Sequence, residues 1–335
     1  MKSIAVVILN WNGKGLLEQF LPSIMANSME AVIYVADNAS TDDSIAFVRT
    51  NYPEIRIIEN TGNFGYAKGY NEALKQVQEE IYALVNSDVE VTAGWLEPVL
   101  ELFEADSETA IIQPKILDYK NKEHFEYAGA AGGFIDKYGF PFCRGRIFDT
   151  IEKDNGQYDD NSQIFWASGA CLFIRKEVFR ELGGFDEDFF AHQEEIDLCW
   201  RAFNRNYKAL FCCKSVVYHV GGATLSATSP HKTFLNFRNS LWMMVKNLPT
   251  RTMLPTLFIR LCLDGAAGLN FLLDGKPRHL WAIVKSHFYF YYKLFHFINK
   301  RKSGKYKNYY KINSIIWLYY VKKGRIFARN FNNSL

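Results

Sequence analysis

The sequence predicts an α/β protein with a parallel or mixed sheet domain over residues 1–231 and a helical, basic, aromatic-rich extension over residues 232–335. Short apolar segments alternate with helical ones through residues 4–85, which predicts a sheet covered by helices on both faces. The charge changes sign along the chain. Residues 1–231 hold 20 Lys and Arg against 34 Asp and Glu, whereas residues 232–335 hold 19 Lys and Arg against two Asp. A length of 335 residues is also typical of two structural units.

Four strands are predicted from short apolar runs, because a strand buried on both faces is apolar throughout. The run IAVVIL at residues 4–9 is the first of them. Segments with polar loops or helical spacing separate each run from the next. The predicted strands lie at residues 4–9, 31–36, 55–58 and 81–85, and the predicted helices at residues 16–24, from Ser44, and at residues 70–80.

The remainder of the acidic part is less regular. Residues 118–163 are predicted as loops and short strands. A strand with a Gly-Ala kink is predicted over residues 165–174, a helix with one apolar face over residues 194–203, and a last strand over residues 216–220.

Polar, turn-forming residues follow all four strands of the first part. Ligands in open α/β sheets bind beyond the carboxyl ends of the strands, so four such endings in succession predict a ligand site there. The endings are Asn10-Trp11-Asn12, Asp37-Asn38, Asn60-Thr61-Gly62-Asn63 and Asn86-Ser87-Asp88.

Composition excludes several classes of protein. A hydrophobic fraction of 48% and a charged fraction of 22% exclude a wholly disordered chain. The six cysteines show no CxxC pairing, which argues against a zinc ribbon or a disulfide framework and predicts a reducing, cytoplasmic compartment. The apolar run at residues 4–9 is too short for the core of an export signal. Arg260 and Asp264 interrupt the apolar stretch at residues 253–273, so no transmembrane helix is predicted.

Seven segments spread over about residues 3–225 together carry a resemblance to a known family. They are VVILNWN, VADNASTDDS, NTGNFGYAKGYNEAL, LVNSDVEVTAGWL, SGACLFIRKEVFRELGGFDEDFF, EEIDLCWR and YHVGGAT. These segments resemble glycosyltransferase family 2, and most of all the rhamnosyltransferase-like bacterial enzymes that build surface polysaccharides. The resemblance implies a GT-A fold, a nucleotide-sugar donor, a divalent metal (Mn²⁺ or Mg²⁺) and inversion at the anomeric carbon. A dTDP- or UDP-sugar is the donor that it implies.

The donor residues are expected around the first three strand ends. The resemblance implies that Asp37 contacts the nucleoside, since a carboxylate at a strand end can accept from a base N–H or a ribose hydroxyl. The alternative is that Asp37 caps the next helix. Glycines at residues 62–69 permit close approach of the backbone, and Lys68 can neutralise a diphosphate. The expected donor contacts are Asn10, Asn12, Asp37, Asn63, Lys68 and Asn71.

Asp88 is the expected metal ligand, because Asn86-Ser87-Asp88 stands at the place of the family's DxD motif. A carboxylate-held Mg²⁺ or Mn²⁺ would neutralise the diphosphate leaving group. Asn86 stands where the first aspartate is often found, and Glu90 either adds a ligand or faces solvent. His219 matches a position where some members place a metal-binding imidazole, and a structural histidine is the alternative.

The segment Glu194 to Arg201 resembles the family's ED-x-D-L-x-x-R motif. An inverting transfer needs one base to take the proton of the acceptor hydroxyl. By position Glu195 is that base, and Glu194 is next in line. Asp197 and Arg201 are expected to form an i,i+4 ion pair. The alternative for the whole segment is a solvated helix face.

Three residues are candidates for the acceptor side. Trp166 offers a ring for stacking on a sugar, and Asp186 and Asp188 offer carboxylates. Core packing is the alternative for the tryptophan segment.

The basic tail is typical of helices that lie on an anionic membrane, because Lys and Arg alternate there with Trp, Tyr and Phe. The prediction is a cytoplasmic protein held peripherally at the inner face of the cell membrane, acting on a saccharide or a lipid-linked saccharide. A partner protein or a second copy of the chain is the rival occupant. Nucleic acid is not expected, because the acidic part would repel a phosphate chain. The basic residues include Lys285, Lys293, Lys300, Arg301, Lys302, Lys305, Lys307, Lys322, Lys323 and Arg325.

Two other functions are consistent with this layout. Asn86 and Glu195 stand where the family's motifs usually have aspartate. This difference leaves open a catalytically silent subunit that binds a nucleotide sugar for a polysaccharide assembly complex. A nucleotidyltransferase has a similar α/β layout, but no Gly- and Arg-rich phosphate loop stands near the N-terminus.

Overall fold

The computed structural model describes residues 2–221, 229–302 and 308–331. Gly222, Ala223 and Thr224 of the YHVGGAT segment, and Lys305 and Lys307, lie outside the described residues. The strands are β1 (Ile4–Asn10), β2 (Val32–Asp37), β3 (Arg56–Glu59), β4 (Ile81–Asn86), β5 (Val89–Val91), β6 (Thr109–Asp118), β7 (Gly133–Ile135), β8 (Pro141–Cys143), β9 (Arg146–Ile147), β10 (Thr150–Ile151), β11 (Ser162–Ile164), β12 (Cys171–Arg175) and β13 (Lys208–His219). The α-helices are α1 (Lys14–Asn27), α2 (Ser44–Asn51), α3 (Gly65–Ala73), α4 (Glu97–Ala105), α5 (Lys176–Leu182), α6 (Glu194–Phe203), α7 (Pro230–Asn247), α8 (Thr250–Leu273), α9 (Pro277–Tyr292), α10 (Leu294–Asn299) and α11 (Phe327–Phe331), with a 3₁₀ turn at Glu187–Phe189 and a π-helical turn at Trp317–Val321.

A nine-stranded mixed sheet forms the centre of the molecule. Its order is β11-β13-β6-β12-β4-β1-β2-β3, and β5 pairs with β13 outside this path. The four predicted strands are confirmed and run parallel to one another, with Asn10 beside Asp37 and Leu9 beside Asn86 in the register. β12 runs antiparallel to β4 and β6. The carboxyl ends of β1, β2 and β4 therefore meet at one edge, as the site prediction requires.

Three elements differ clearly from their predicted bounds. β12 begins at Cys171, whereas the sequence predicts a strand from residue 165. Helix α3 starts at Gly65, whereas a start at residue 70 is predicted because Gly65 and Gly69 are typical of a loop. Gly69 lies inside this helix, where it faces Asn38. A Cβ at this position would stand 2.7 Å from the Asn38 amide nitrogen, so only glycine lets α3 approach the end of β2. The last strand, β13, begins at Lys208 rather than at residue 216 and has 12 residues, and its partner β6 has 10.

A four-stranded antiparallel sheet, β7 to β10, lies beside the main sheet and receives residues 308–331. Asp136 is fully buried there and accepts N–H bonds from Tyr138, Phe140 and Ile315. Glu152 accepts from Phe327 N at 2.8 Å. Two buried carboxylates thus attach the end of the chain to the body.

Helix α7 follows the predicted boundary at residue 231 and is largely buried. Trp242 and Met243 are at most 1% exposed and share one hydrophobic cluster with Trp200 of α6 and Tyr70 of α3. The division at residue 231 stays a prediction, and α7 packs as part of the sheet domain's core.

Helix α8 is long and apolar enough to cross a membrane, by length and composition, and 28% of its most apolar window is buried. This differs from the prediction that Arg260 and Asp264 exclude such a helix. The two charges form a buried ion pair of 2.7 Å, and the Arg260 guanidinium lies 3.8 Å from the centre of the Phe140 ring. One face of α8 therefore packs against the rest of the protein.

Candidate active site

Three of the predicted donor residues come together at the ends of β1 and β2. Asn10 Nδ2 donates to Asp37 Oδ1 at 2.9 Å, and both residues are buried. Ser40 joins them: its N–H donates to Asp37 Oδ2 at 2.8 Å, and its Oγ accepts from Asn12 N at 2.8 Å. The side chain of Trp11 remains 50% exposed beside them. Spacing alone gives no signal for the role of Ser40.

The capping alternative for Asp37 is wrong. Asp43 precedes α2, and Asp42 Oδ1 accepts from Ser44 N at 3.1 Å, so the first turn of that helix is served by other residues. The carboxylate of Asp37 is instead held at the strand end by Asn10 and Ser40.

The three predicted donor residues of the glycine-containing segment differ in whether their side chains already have partners. Asn63 Oδ1 accepts from Gly65 N at 3.1 Å, and the Lys68 ammonium lies 4.4 Å from the centre of the Phe64 ring. Asn71 is occupied: it accepts from Phe185 N and donates to Phe185 O, both at 2.9 Å. Asn71 thus connects α3 to the segment before the 3₁₀ turn. This structural role differs from the donor contact that the sequence predicts.

Asp88 and His219 form a buried pair, since β5 brings the end of β13 beside the turn after β4. His219 Nε2 lies 3.1 Å from Asp88 Oδ1, and Nδ1 lies 3.4 Å from Glu126 Oε1. Burial alone would lower the pKa of His219, but the two facing carboxylates raise it to about 10. Glu126 is only 4% exposed, and no motif in the sequence pointed to it.

The residues present suit a divalent metal. Within residues 2–221, 229–302 and 308–331, no group of three or more His, Cys, Asp or Glu side chains forms a complete metal site. Asp88 and His219 nevertheless supply an oxygen and a nitrogen donor side by side, both of which Mn²⁺ accepts. Glu126 lies against the other imidazole nitrogen, as the carboxylate behind a metal-bound histidine usually does. With its pKa raised to about 10, His219 carries a proton on the nitrogen that faces Asp88, so a metal ion would bind there by displacing that proton.

The predicted base residues start α6, directly after a loop with unusual backbone angles. Phe190, His192 and Gln193 have φ values of 63°, 69° and 73°. Glu194 is buried and Glu195 half-buried, and Oε2 of each has no hydrogen-bond partner within the described residues. Burial raises the pKa of Glu195 to about 7 and that of Glu194 well above its ordinary value. The solvated-face alternative is therefore wrong.

The same loop contacts the start of α3. Phe190 O accepts from Tyr66 N at 3.0 Å, and a Cβ on Gly65 would stand 2.8 Å from Phe190 O. Burial raises the pKa of Tyr66, and the nearby Glu194 and Glu195 carboxylates raise it further. The two glutamates thus lie next to the segment that carries Lys68.

The expected ion pair in α6 is confirmed. Arg201 Nε lies 2.8 Å from Asp197 Oδ2, and Lys246 of α7 reaches the same oxygen at 2.8 Å. Burial acts to raise the pKa of Asp197, but the two cations bring it down to about 2.

The acceptor-side predictions need correction. Trp166 is 3% exposed and its Nε1 donates to Phe134 O, so the ring belongs to the core, as the packing alternative holds. Asp186 is paired with Lys246 at 2.6 Å, and Asp188 with Lys293 at 2.8 Å. Both carboxylates anchor C-terminal helices. Tyr127, which follows Glu126 in the sequence, has a ring that is 49% exposed.

Known proteins share this architecture. The curated relatives include the N-acetylglucosaminyl-diphospho-decaprenol L-rhamnosyltransferase of Mycobacterium tuberculosis, 25% identical over 235 residues, which cover 64% of this chain and 75% of that protein. The low-salt glycan biosynthesis hexosyltransferase Agl10 of Haloferax volcanii is 25% identical over 249 residues, 71% of this chain and 74% of that protein.

Solved structures agree on the fold. The mannosyltransferase PcManGT of Pyrobaculum calidifontis, in complex with GDP-Man and Mn²⁺, matches with a TM-score of 0.54 and 17% identity over 87% of this chain and 88% of that one. GalNAc-T7 with UDP, GalNAc and Mn²⁺ matches with a TM-score of 0.58 and 15% identity over 73% of this chain and 48% of that one. These likenesses confirm the predicted GT-A fold. The Glycosyl transferase family 2 model matches residues 5–183, more than half of the sequence, and the chain therefore belongs to glycosyltransferase family 2.

Proposed function

We propose that this protein is an inverting glycosyltransferase that moves a sugar from a nucleotide-sugar donor to a hydroxyl of a saccharide or lipid-linked saccharide during cell-surface polysaccharide synthesis. The observation that carries the proposal is the Glu194–Glu195 pair. Each residue has a buried carboxylate oxygen without a partner in the described chain, near Tyr66 at the start of α3. A buried carboxylate oxygen without a partner is typical of a group that acts on substrate.

Asp37, Asn10 and Asn12 are the proposed contacts of the donor nucleoside, and Trp11 offers an exposed ring to its base. Asn63 lies on the adjoining turn and Lys68 in the first turn of α3, where a cation suits the diphosphate. Asp88 and His219 would hold a divalent metal, which supplies charge neutralisation for the departing nucleoside diphosphate. The rhamnosyltransferase relative supports dTDP-rhamnose as the first donor to test and a GlcNAc-diphospho-polyprenol as the first acceptor.

Glu195 is the proposed base. It accepts the proton of the acceptor hydroxyl while that oxygen bonds to the anomeric carbon and the bond to the diphosphate breaks, so one displacement inverts the configuration. With its pKa at about 7, Glu195 is partly ionised at neutral pH and can still take a proton readily. Glu194, whose pKa burial also raises, is the second candidate.

We also propose that the protein lies peripherally on the inner face of the cell membrane through α8, α9 and α10. The exposed apolar side chains of these helices include Leu254, Phe258, Leu269, Leu273, Trp281, Phe288, Tyr292 and Phe295. The exposed cations among them are Arg251, Lys276, Arg278 and Lys285. An apolar and aromatic surface with cations is suited to anionic lipid. Lys293 and Lys300 do not serve it, because they pair with Asp188 and Asp186.

The alternative is a silent subunit that binds a nucleotide sugar, and Asn86 in place of a first aspartate is the observation in its favour. One experiment separates the two functions. Wild type and Glu195→Gln are incubated with dTDP-rhamnose, Mn²⁺ and a short-chain polyprenyl-diphospho-GlcNAc, and the product is followed by mass spectrometry. Transfer by the wild type alone supports the enzyme, whereas dTDP binding without transfer by either protein supports the subunit.

A further inference from the structure

The loop before α6 is held in a conformation that its sequence disfavours. Phe190, His192 and Gln193 all have φ values in the left-handed region, and none of them is glycine. Residues of this kind are strained and persist only when the surroundings impose them. Some other part of the molecule must therefore hold the loop.

That part is Asn239 in the middle of α7. Its Nδ2 lies 3.1 Å from Phe189 O, 2.9 Å from Ala191 O and 2.8 Å from His192 O. The side chain is fully buried, and Arg238 Nε donates to its Oδ1 at 2.9 Å, which fixes the amide orientation. One amide group thus faces three carbonyls of the strained loop.

The same helix also holds the turn that follows. Lys246 and Asn247 each reach Asp197, on Oδ2 and Oδ1, at 2.8 Å. The first turn of α6, with Glu194 and Glu195, lies between these contacts and those of Asn239. Within the described residues, Oε2 of each glutamate has no hydrogen-bond partner. The position of the backbone therefore determines where that oxygen lies.

We infer that Asn239 is a positioning residue: it holds residues 189–193 in the conformation that directs the Glu194 and Glu195 carboxylates to the acceptor. The inference rests on the proposed function for the role of the glutamates. Asn239 lies outside residues 5–183, which the family match covers. Asn239 is one of several polar residues of α7, so its identity carried no signal in the sequence.

The test is Asn239→Asp, which keeps the shape of the side chain and replaces the amide donor with an oxygen that repels the three carbonyls. Asn239→Ser serves if the aspartate variant does not fold. Ser28→Ala is the matched control, because it also removes one buried hydrogen bond, from Trp95 Nε1 at 3.1 Å, in the other hydrophobic cluster. Melting temperatures show whether the two losses of stability are comparable.

The first readout needs no substrate. Amide hydrogen exchange of residues 189–196 should become at least ~10-fold faster in Asn239→Asp and stay near the wild-type rate in Ser28→Ala, because only the first variant frees the loop. Unchanged exchange in that segment would overturn the inference.

The second readout is transfer from dTDP-rhamnose. We expect kcat to fall roughly 10- to 100-fold in Asn239→Asp with KM for the donor within about 3-fold of wild type, because misplacing a base costs rate rather than donor binding. An equal fall in kcat in Ser28→Ala would also contradict the inference. If the wild type transfers no sugar, the proposed function fails while the exchange result still tests the hold on the loop.

Discussion

His219 Nε2 lies 3.1 Å from Asp88 Oδ1, and this contact joins the far end of β13 to the turn after β4. The pair occupies the edge of the sheet where Asp37 and Asn10 also lie. A metal held by this pair would bind the diphosphate of the same nucleotide whose nucleoside contacts Asp37. Substitutions at the pair and at Asp37 can therefore be tested separately.

Replacing either member of this pair should remove metal-dependent nucleotide binding. We expect Asp88→Ala and His219→Ala to lose the part of UDP or dTDP affinity that needs Mn²⁺, measured by isothermal titration calorimetry. Glu90→Ala is the control, because Glu90 lies on the adjoining strand β5 and pairs with Lys122. Equal binding by wild type with and without Mn²⁺ would contradict the metal assignment.

Glu195→Gln should abolish transfer and leave donor binding intact. Loss of a general base typically lowers the rate by about 10²- to 10⁴-fold, whereas the amide keeps the size of the carboxylate. Turnover is measured under saturating donor, with the exposed Glu101→Gln on α4 as the control. If Glu194→Gln is inactive while Glu195→Gln turns over normally, the base is Glu194.

The rate of transfer should rise with pH through about 7. The pKa of Glu195 is raised to about 7 by burial, and only the ionised form accepts a proton, so activity is low at pH 5 and reaches a plateau above about pH 8. A kcat/KM profile from pH 5 to 9 checks this. A profile that is flat over that range excludes Glu195 as the base.

The same raised pKa predicts a change in stability. Glutamates of the unfolded chain release their protons near pH 4.5, whereas folded Glu195 holds its proton up to about pH 7. The free energy of unfolding therefore falls as pH rises through this window, because ionising Glu195 is harder in the folded protein. Glu195→Gln should therefore melt higher than wild type at pH 8, and the difference should shrink at pH 5. A lower melting temperature at pH 8 would show that the carboxylate is stabilising.

Asp186→Asn should destabilise the protein rather than weaken acceptor binding. Asp186 and Lys246 are each buried and 2.6 Å apart, and losing a hydrogen bond to a charged group costs about 1.5–3 kcal/mol. Urea denaturation measures the loss. A variant with normal stability and a raised KM for the acceptor would restore the role predicted from the sequence.

Membrane binding should depend on the exposed rings of α9 and on anionic lipid. Trp281→Ala with Phe288→Ala should reduce sedimentation with vesicles of phosphatidylcholine and phosphatidylglycerol, because both side chains are at least 65% exposed. Met29→Ala, at an 88% exposed position of the sheet domain, is the control. Binding that is indifferent to anionic lipid, together with dimers in sedimentation velocity, would favour a second copy on this surface.

The sheet and part of the site were predictable because they depend on local patterns. Apolar runs bounded by polar turns located β1 to β4, and strand-end geometry brought Asn10, Asn12 and Asp37 together as expected. The bounds of α6 at Glu194–Phe203 were also predicted from helical spacing.

Other features depend on contacts between distant segments, which local spacing does not encode. Glu126 and Asn239 act across the fold, and neither stands in a recognisable motif. The sequence left stacking and core packing both open for Trp166, because exposure of a ring depends on the whole packing, here on Gly133 and Phe134. The acceptor-side prediction for Asp186 and Asp188 did not include their ion pairs, because the partners Lys246 and Lys293 come from far along the chain.

The most direct test of the account is a thermal-shift panel of UDP, dTDP, GDP, CMP, ADP and NAD, each with and without Mn²⁺. We predict that one nucleoside diphosphate raises the melting temperature only when Mn²⁺ is present, and that Asp88→Ala removes this shift. A folded wild-type protein that no nucleotide stabilises under either condition would contradict the nucleotide-sugar site.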